Sequence, residues 1–170
     1  METALERLNS LPPEEARAEL LKCCGSARWA EAVAAARPFR SVGELLETAD
    51  RVWWELSAED WLEAFRAHPR IGERKAAAEV GEEARRWSER EQSGARGAPA
   101  GTLEALAEAN RAYEGRFGFI FIVCAAGKSA GEMLSLLGAR MDNEREAELR
   151  VAAGEQSKIT RLRLQRLLET

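Results

Sequence analysis

Arg116-Phe117-Gly118-Phe119-Ile120-Phe121-Ile122-Val123-Cys124-Ala125 is the one stretch of this chain whose local preference is for a strand, and its reading decides the fold class. Aromatic and β-branched residues favour extended backbone. A lone strand, however, has no ladder partner, and no second β-like run occurs in the sequence. The run is therefore read as a short extended apolar segment packed among helices, and the chain as all-α.

Helix signals recur on both sides of it. Pro12 and Pro13 suit first helical positions ahead of residues 14–22, and Gly25 supplies a C-terminal stop. A second helix is expected over 28–36, ended by Pro38. Ser41 with Glu44 reads as a capping box for a third, reaching Trp53 or Trp54. Ser57 with Asp60 opens a fourth, which runs to about Ala67. There His68-Pro69-Arg70-Ile71-Gly72-Glu73 interrupts it, because a residue before proline is pushed out of α geometry. Residues 79–93 are polar and helix-favouring, Gly94 to Gly101 reads as a flexible connection, and a helix is expected from Thr102 to Glu114. Three more are expected after the apolar segment, with Gly127 to Gly131 as a tight connection without a catalytic role. The expectation is one domain over 1–170, a bundle of about eight to ten helices.

The bulk properties narrow the function classes. A formal net charge of −4 argues against a general grip on phosphate backbones, so no nucleic-acid partner is expected. The longest apolar run, Phe119 to Ala126, is far short of the roughly 20 residues of a membrane helix, and no membrane association is expected. The N-terminus lacks a basic-then-apolar leader, and the final residues do not match a Ser-Lys-Leu address. Cys23, Cys24 and Cys124 form neither a disulfide framework nor a zinc spacing and fit a reducing compartment. A cytoplasmic location is expected.

Four features could carry chemistry. His68 is the only histidine, at a helix-to-loop corner, where an imidazole could exchange protons near neutrality or simply bond to backbone. One histidine without companion ligands does not make a zinc site. In Trp87-Ser88-Glu89-Arg90-Glu91-Gln92, spacings of three and four put Ser88, Glu91 and Gln92 on one helical face. That face suits a small nitrogen-rich ligand, or it is an ordinary solvated face. Ile159, Arg163 and Leu167 share a stripe in the last helix, so Arg163 either pairs with a carboxylate or covers apolar neighbours with its stem. Finally, the irregular backbone of Phe121, Ile122, Val123, Cys124 and Ala125 leaves N–H and C=O groups that need partners, from a ligand or from neighbouring groups.

Together and in this order, Arg37-Pro-Phe, His68-Pro-Arg-Ile-Gly-Glu73, Ser88-Glu-Arg-Glu-Gln92, Tyr113-Glu-Gly-Arg-Phe-Gly-Phe-Ile-Phe-Ile-Val-Cys-Ala125 and Lys158-Ile-Thr-Arg-Leu-Arg163-Leu resemble the 2-oxo-4-hydroxy-4-carboxy-5-ureidoimidazoline (OHCU) decarboxylase family. The resemblance implies an all-helical bundle, commonly a homodimer, that converts OHCU to (S)-allantoin in urate breakdown with neither metal nor organic cofactor. It further implies catalytic roles for His68, Glu91 and Arg163, and a substrate pocket lined by Pro69, Ser88, Gln92 and Phe121 to Ala125. Arg161 lies in the same tract as Arg163, and the register of Lys158-Ile159 selects Arg163. Two other classes stay open: decarboxylation of a related ureido or imidazoline acid, and a non-catalytic interaction module whose tryptophans mark a partner surface.

Overall fold

The computed structural model describes residues 1–72 and 81–169. Glu73 and the first two residues of the helix expected over 79–93 lie outside them. Among the described residues there are nine α-helices and no strand: α1 Ala4–Ser10, α2 Pro13–Leu21, α3 Ala27–Ala35, α4 Val42–Glu55, α5 Ala58–Arg66, α6 Glu82–Glu91, α7 Ala100–Phe117, α8 Ala130–Arg140 and α9 Arg145–Leu167. A 3₁₀ turn, Ser93–Ala95, follows α6. The chain divides into two compact units, Met1–Ala64 with Ser157–Thr170, and Phe65–Gln156.

In the first unit, side-chain caps open helix after helix. Thr3 and Glu6 form a reciprocal capping box at α1, a helix missing from the sequence expectation, which started at Pro12. Ser26 accepts the Trp29 N–H at 3.2 Å to start α3, and Ser57 accepts from Asp60 at α5. The capping box expected at Ser41 is half realised. Ser41 accepts the Glu44 N–H at 3.1 Å, but the Glu44 carboxylate turns to the Arg40 N–H at 2.7 Å, a neighbour with a guanidinium to add. Arg37, joined to Pro38 by a cis peptide, donates to Leu8 O at 2.7 Å, Leu11 O at 2.8 Å and Ala34 O at 2.8 Å. Its guanidinium thereby satisfies the orphan carbonyls at the ends of α1 and α3.

Buried tryptophans fill this unit. Trp29 is fully buried with its indole N–H on Ala49 O at 3.0 Å, and Trp61 donates to Trp53 O at 2.9 Å. Trp53 and Trp61, like Trp87 in the second unit, are below 9% exposed, so of the five only Trp54 presents a large surface. Cys24 lies in the same core. Burial pushes its thiol up from 9.0 to about 12, against the lowering influence of the Ser26 backbone, the Thr160 hydroxyl and the Arg163 guanidinium.

In the second unit, α7 ends where Gly118 takes φ 81° and donates to Glu114 O at 2.8 Å. Of the run expected to be extended, 116 to 125, Arg116 and Phe117 instead complete α7 and Gly118 caps it, and residues 119 to 125 follow without helix or strand. Tyr113, Phe117, Phe119 and Phe121 pack ring to ring, with centroids 4.7–6.0 Å apart. What replaces a ladder is side-chain chemistry. Arg140 donates to Ile122 O at 2.8 Å, Glu155 accepts the Cys124 N–H at 3.1 Å, and Lys128 donates to Cys124 O at 2.7 Å. Arg140 also pairs with Glu148, Nε to Oε1 at 2.6 Å, and its guanidinium lies 4.5 Å above the Phe121 ring. Only two helices follow the segment, not three. Gly154 falls inside the 23-residue α9, where its cost of roughly 1 kcal/mol is offset by burying Ala152 and Ala153 completely.

Two outcomes are expected. Arg140→Met strands the Glu148 carboxylate at 0% exposure and is expected to cost about 3–5 kcal/mol in urea unfolding. Adding Glu148→Leu should recover part of that loss, because no unpaired charge then stays buried. As for Cys24, the folded state holds the thiol proton more tightly than the unfolded chain. Its contribution is complete below pH 9 and is lost as pH rises toward 12. Unfolding curves taken across that range should decline less steeply for Cys24→Ala than for wild type; parallel declines would mean that the thiol titrates normally.

Candidate active site

The second unit holds most of the residues singled out in the sequence. His68 follows the end of α5, its N–H bonded to Phe65 O at 3.1 Å, and its ring is half-buried. Pro69 is buried behind it. Across from this corner, α6 presents Ser88 and Glu91 at 8% and 7% exposure, so the face predicted from the three- and four-residue spacing is turned inward. The solvated side of α6 is stitched by Arg85, which reaches Glu82 and Glu89. Gln92 caps the helix, and its side-chain oxygen accepts the Gly72 N–H at 2.9 Å, tying the His68-Pro69 loop to α6.

Between loop and helix lies a cavity of about 420 Å³, lined among others by Pro69, Gly72, Ser88 and Gln92, with Arg85, Glu89 and Arg96 also on its wall. That volume is in the range of small-molecule sites, roughly 300–1,000 Å³. Arg85 is already paired with Glu82 and Glu89, so the wall carries both signs of charge. Pro69, Ser88 and Gln92 are thus brought together around one space; His68, Glu91 and residues 121–125 are not part of that wall.

These others gather in a polar cluster of the same unit. His68 Nε2 stands 2.6 Å from Gln156 Oε1, and the neighbouring Glu155 accepts the Cys124 N–H. The Cys124 thiol is pushed up, first by burial and then by the carboxylates of Glu155 and Glu91, against the Ala126 backbone and Lys128. Its proton is thus held more tightly than that of a free cysteine, which disfavours the reactive thiolate. Glu91 therefore reaches the apolar segment electrostatically, from the same helix that lines the cavity. One further contact fixes the spacing: a Cβ at Gly94, in the 3₁₀ turn, would run into the Lys128 carbonyl oxygen.

Arg163 belongs to the other unit. It is 6% exposed and donates to Lys22 O at 3.3 Å, whereas Arg161 is exposed, as the helical stripe predicted.

Sequence reasoning missed Gln156, Glu155, Lys128, Arg85 and Arg96. Gln156 had a signal: it lies three residues before Ile159 and seven before Arg163, so the apolar stripe that singled out Arg163 passes through a buried amide. Arg85 and Arg96 had none, since nothing separates them from other surface arginines until the cavity is seen. Among the described residues no group of three or more His, Cys, Asp or Glu is placed to hold a metal ion, and no helix is long and apolar enough to cross a membrane.

The family model described as OHCU decarboxylase matches residues 9–165. The uric acid degradation bifunctional protein TTL of Arabidopsis thaliana is 40% identical over 146 residues, which cover 85% of this chain and 45% of that protein. The chain thus spans less than half of that bifunctional relative. The 2-oxo-4-hydroxy-4-carboxy-5-ureidoimidazoline decarboxylase of Haloferax volcanii is 31% identical over 79% of this chain and 77% of its own. A crystal structure of OHCU decarboxylase in the presence of (S)-allantoin superposes with a TM-score of 0.77 at 39% identity, covering 90% of this chain and 99% of that one. The chain belongs to the OHCU decarboxylase family.

Proposed function

We propose that this protein decarboxylates OHCU to (S)-allantoin in urate breakdown. The observation that carries the reading is the family match over residues 9–165, and the cavity beside the His68-Pro69 corner supports it. The chemistry is within reach of such a site. In the substrate the carbon bearing carboxylate and hydroxyl adjoins a ring C=N bond. As carbon dioxide leaves, the bond pair enters the ring and the imine nitrogen takes up a proton. The hydroxyl then becomes the ring carbonyl, while a proton added to the ureido-bearing carbon sets the configuration. The ring is its own electron sink, a function that cofactors commonly supply in other decarboxylations.

The protein then needs to place the substrate and manage protons. Ser88 and Gln92 offer a hydroxyl and an amide to the ring and ureido group, and Arg96 adds a positive charge at the cavity wall for the carboxylate. His68, with an unperturbed pKa of about 6.5 as a residue type, exchanges the proton, a role worth about 10²–10⁴-fold. Glu91 assists from the buried face of α6. The assignment of Arg163 to substrate rests on the terminal motif. The proposal extends to a homodimer, on the strength of the resemblance, and to a cytoplasmic location, on the cysteine pattern that fits a reducing compartment; light scattering after gel filtration tests the assembly.

OHCU generated in place from urate by urate oxidase and hydroxyisourate hydrolase is expected to give dextrorotatory allantoin, followed by circular dichroism, rapidly with this protein and slowly as racemate without it. His68→Asn should lower kcat by about 10²–10⁴-fold; wild-type turnover would remove the proton-transfer role. Ser88→Ala and Gln92→Ala should act mainly on KM, raising it by about 10-fold each, as loss of one hydrogen bond to a bound ligand does.

A further inference from the structure

Gln156 is 0% exposed, and its side-chain oxygen stands 2.6 Å from His68 Nε2. An amide oxygen only accepts, so the hydrogen between them sits on the imidazole. We infer that Gln156 is a positioning residue of this site: it holds His68 with a proton on Nε2, which makes Nδ1 the ring nitrogen that takes up and returns a proton during turnover. The inference rests on the reading of His68 as the proton-exchanging group.

Three observations support it. A polar amide on the apolar stripe of α9, between Ala152 and Ile159, is costly unless its groups are satisfied, and a leucine would pack there at less cost. The position is thus better explained by what the amide holds than by packing. Secondly, Gln156 adjoins Glu155, whose carboxylate accepts the Cys124 N–H at 3.1 Å. Two successive residues of one helix therefore anchor both the histidine corner and the apolar segment. Thirdly, the partner at Nε2 is neutral. A carboxylate against Nε2 would favour the imidazolium and hold the proton back, whereas an amide orients the ring without adding a charge that opposes proton release.

Because His68 is the only histidine in the sequence, protein carrying ¹⁵N-labelled histidine yields signals from one imidazole. The expected spectrum shows a downfield proton bound to Nε2, slow enough in exchange to be seen. It disappears in Gln156→Met and returns in Gln156→Glu, which keeps an acceptor at the same reach. In the OHCU assay Gln156→Met should lower kcat by about 10- to 100-fold with little change in KM, the effect of a misplaced catalytic group, and Gln156→Glu should stand above it. A neutral ring protonated on Nδ1, a resonance that survives in Gln156→Met, or an unchanged kcat in a folded Gln156→Met each overturns the inference. Should that variant fail to fold, the wild-type spectrum alone still decides which nitrogen bears the proton. Absence of any turnover by wild type would instead overturn the proposed function and the catalytic half of the inference with it, while the spectrum still decides the hydrogen bond.

Discussion

The second unit is organised around one guanidinium. Arg140 meets the Glu148 carboxylate at 2.6 and 3.0 Å, donates to Ile122 O and stacks above Phe121. The aromatic cluster of Tyr113, Phe117, Phe119 and Phe121 supplies burial energy, about 1.5–3 kcal/mol per side chain, but burial has no direction and would tolerate several ring arrangements. A desolvated cation tolerates one, because its donors must all find acceptors in a fixed planar fork. The ion pair selects among the packings that the hydrophobic effect leaves open, and it does so by holding the backbone of the segment that would otherwise need a strand partner.

From that constraint the rest of the site follows. With residue 122 held, Cys124 presents its N–H to Glu155 and its C=O to Lys128, and the adjacent Gln156 reaches His68. On the other side, Gln92 fastens the loop at Gly72 to α6. A reaction whose substrate carries its own electron sink asks little more than this of a protein: fixed donors, a place for an anion, and an ionisable ring in a known orientation. Burial and the nearby carboxylates of Glu155 and Glu91 raise the hold of the Cys124 thiol on its proton.

Much of this was legible in the sequence because it depends on local rules. The shared face of Ser88 and Glu91 comes from helical spacing, though not the direction in which it turns, the corner at His68 from the proline after it, and the place of Arg163 on a buried stripe from the four-residue repeat. The all-α class came from an absence: one β-like run with nothing to pair with. What was not legible depends on long-range partnering. Nothing near Arg140 in the chain announces Ile122 or Tyr113, and Lys128 is one of many basic residues until its Nζ is seen on Cys124 O. Local signals failed after the apolar segment, where three helices were expected and two form, and were half right at Ser41, where the Glu44 carboxylate accepts the Arg40 N–H rather than that of Ser41.

The close approach of Gly94 to Lys128 has a consequence for how such a chain can change over generations. The 3₁₀ turn after α6 and the loop before α8 touch with no room for a side chain, so the lengths of these two connections are coupled. An insertion in either would have to be matched in the other or absorbed by a shift of Lys128, and through it of the Cys124 carbonyl. The loops themselves look variable by composition, yet lineages of this architecture should find their indels elsewhere, with this pair of turns inherited as a unit.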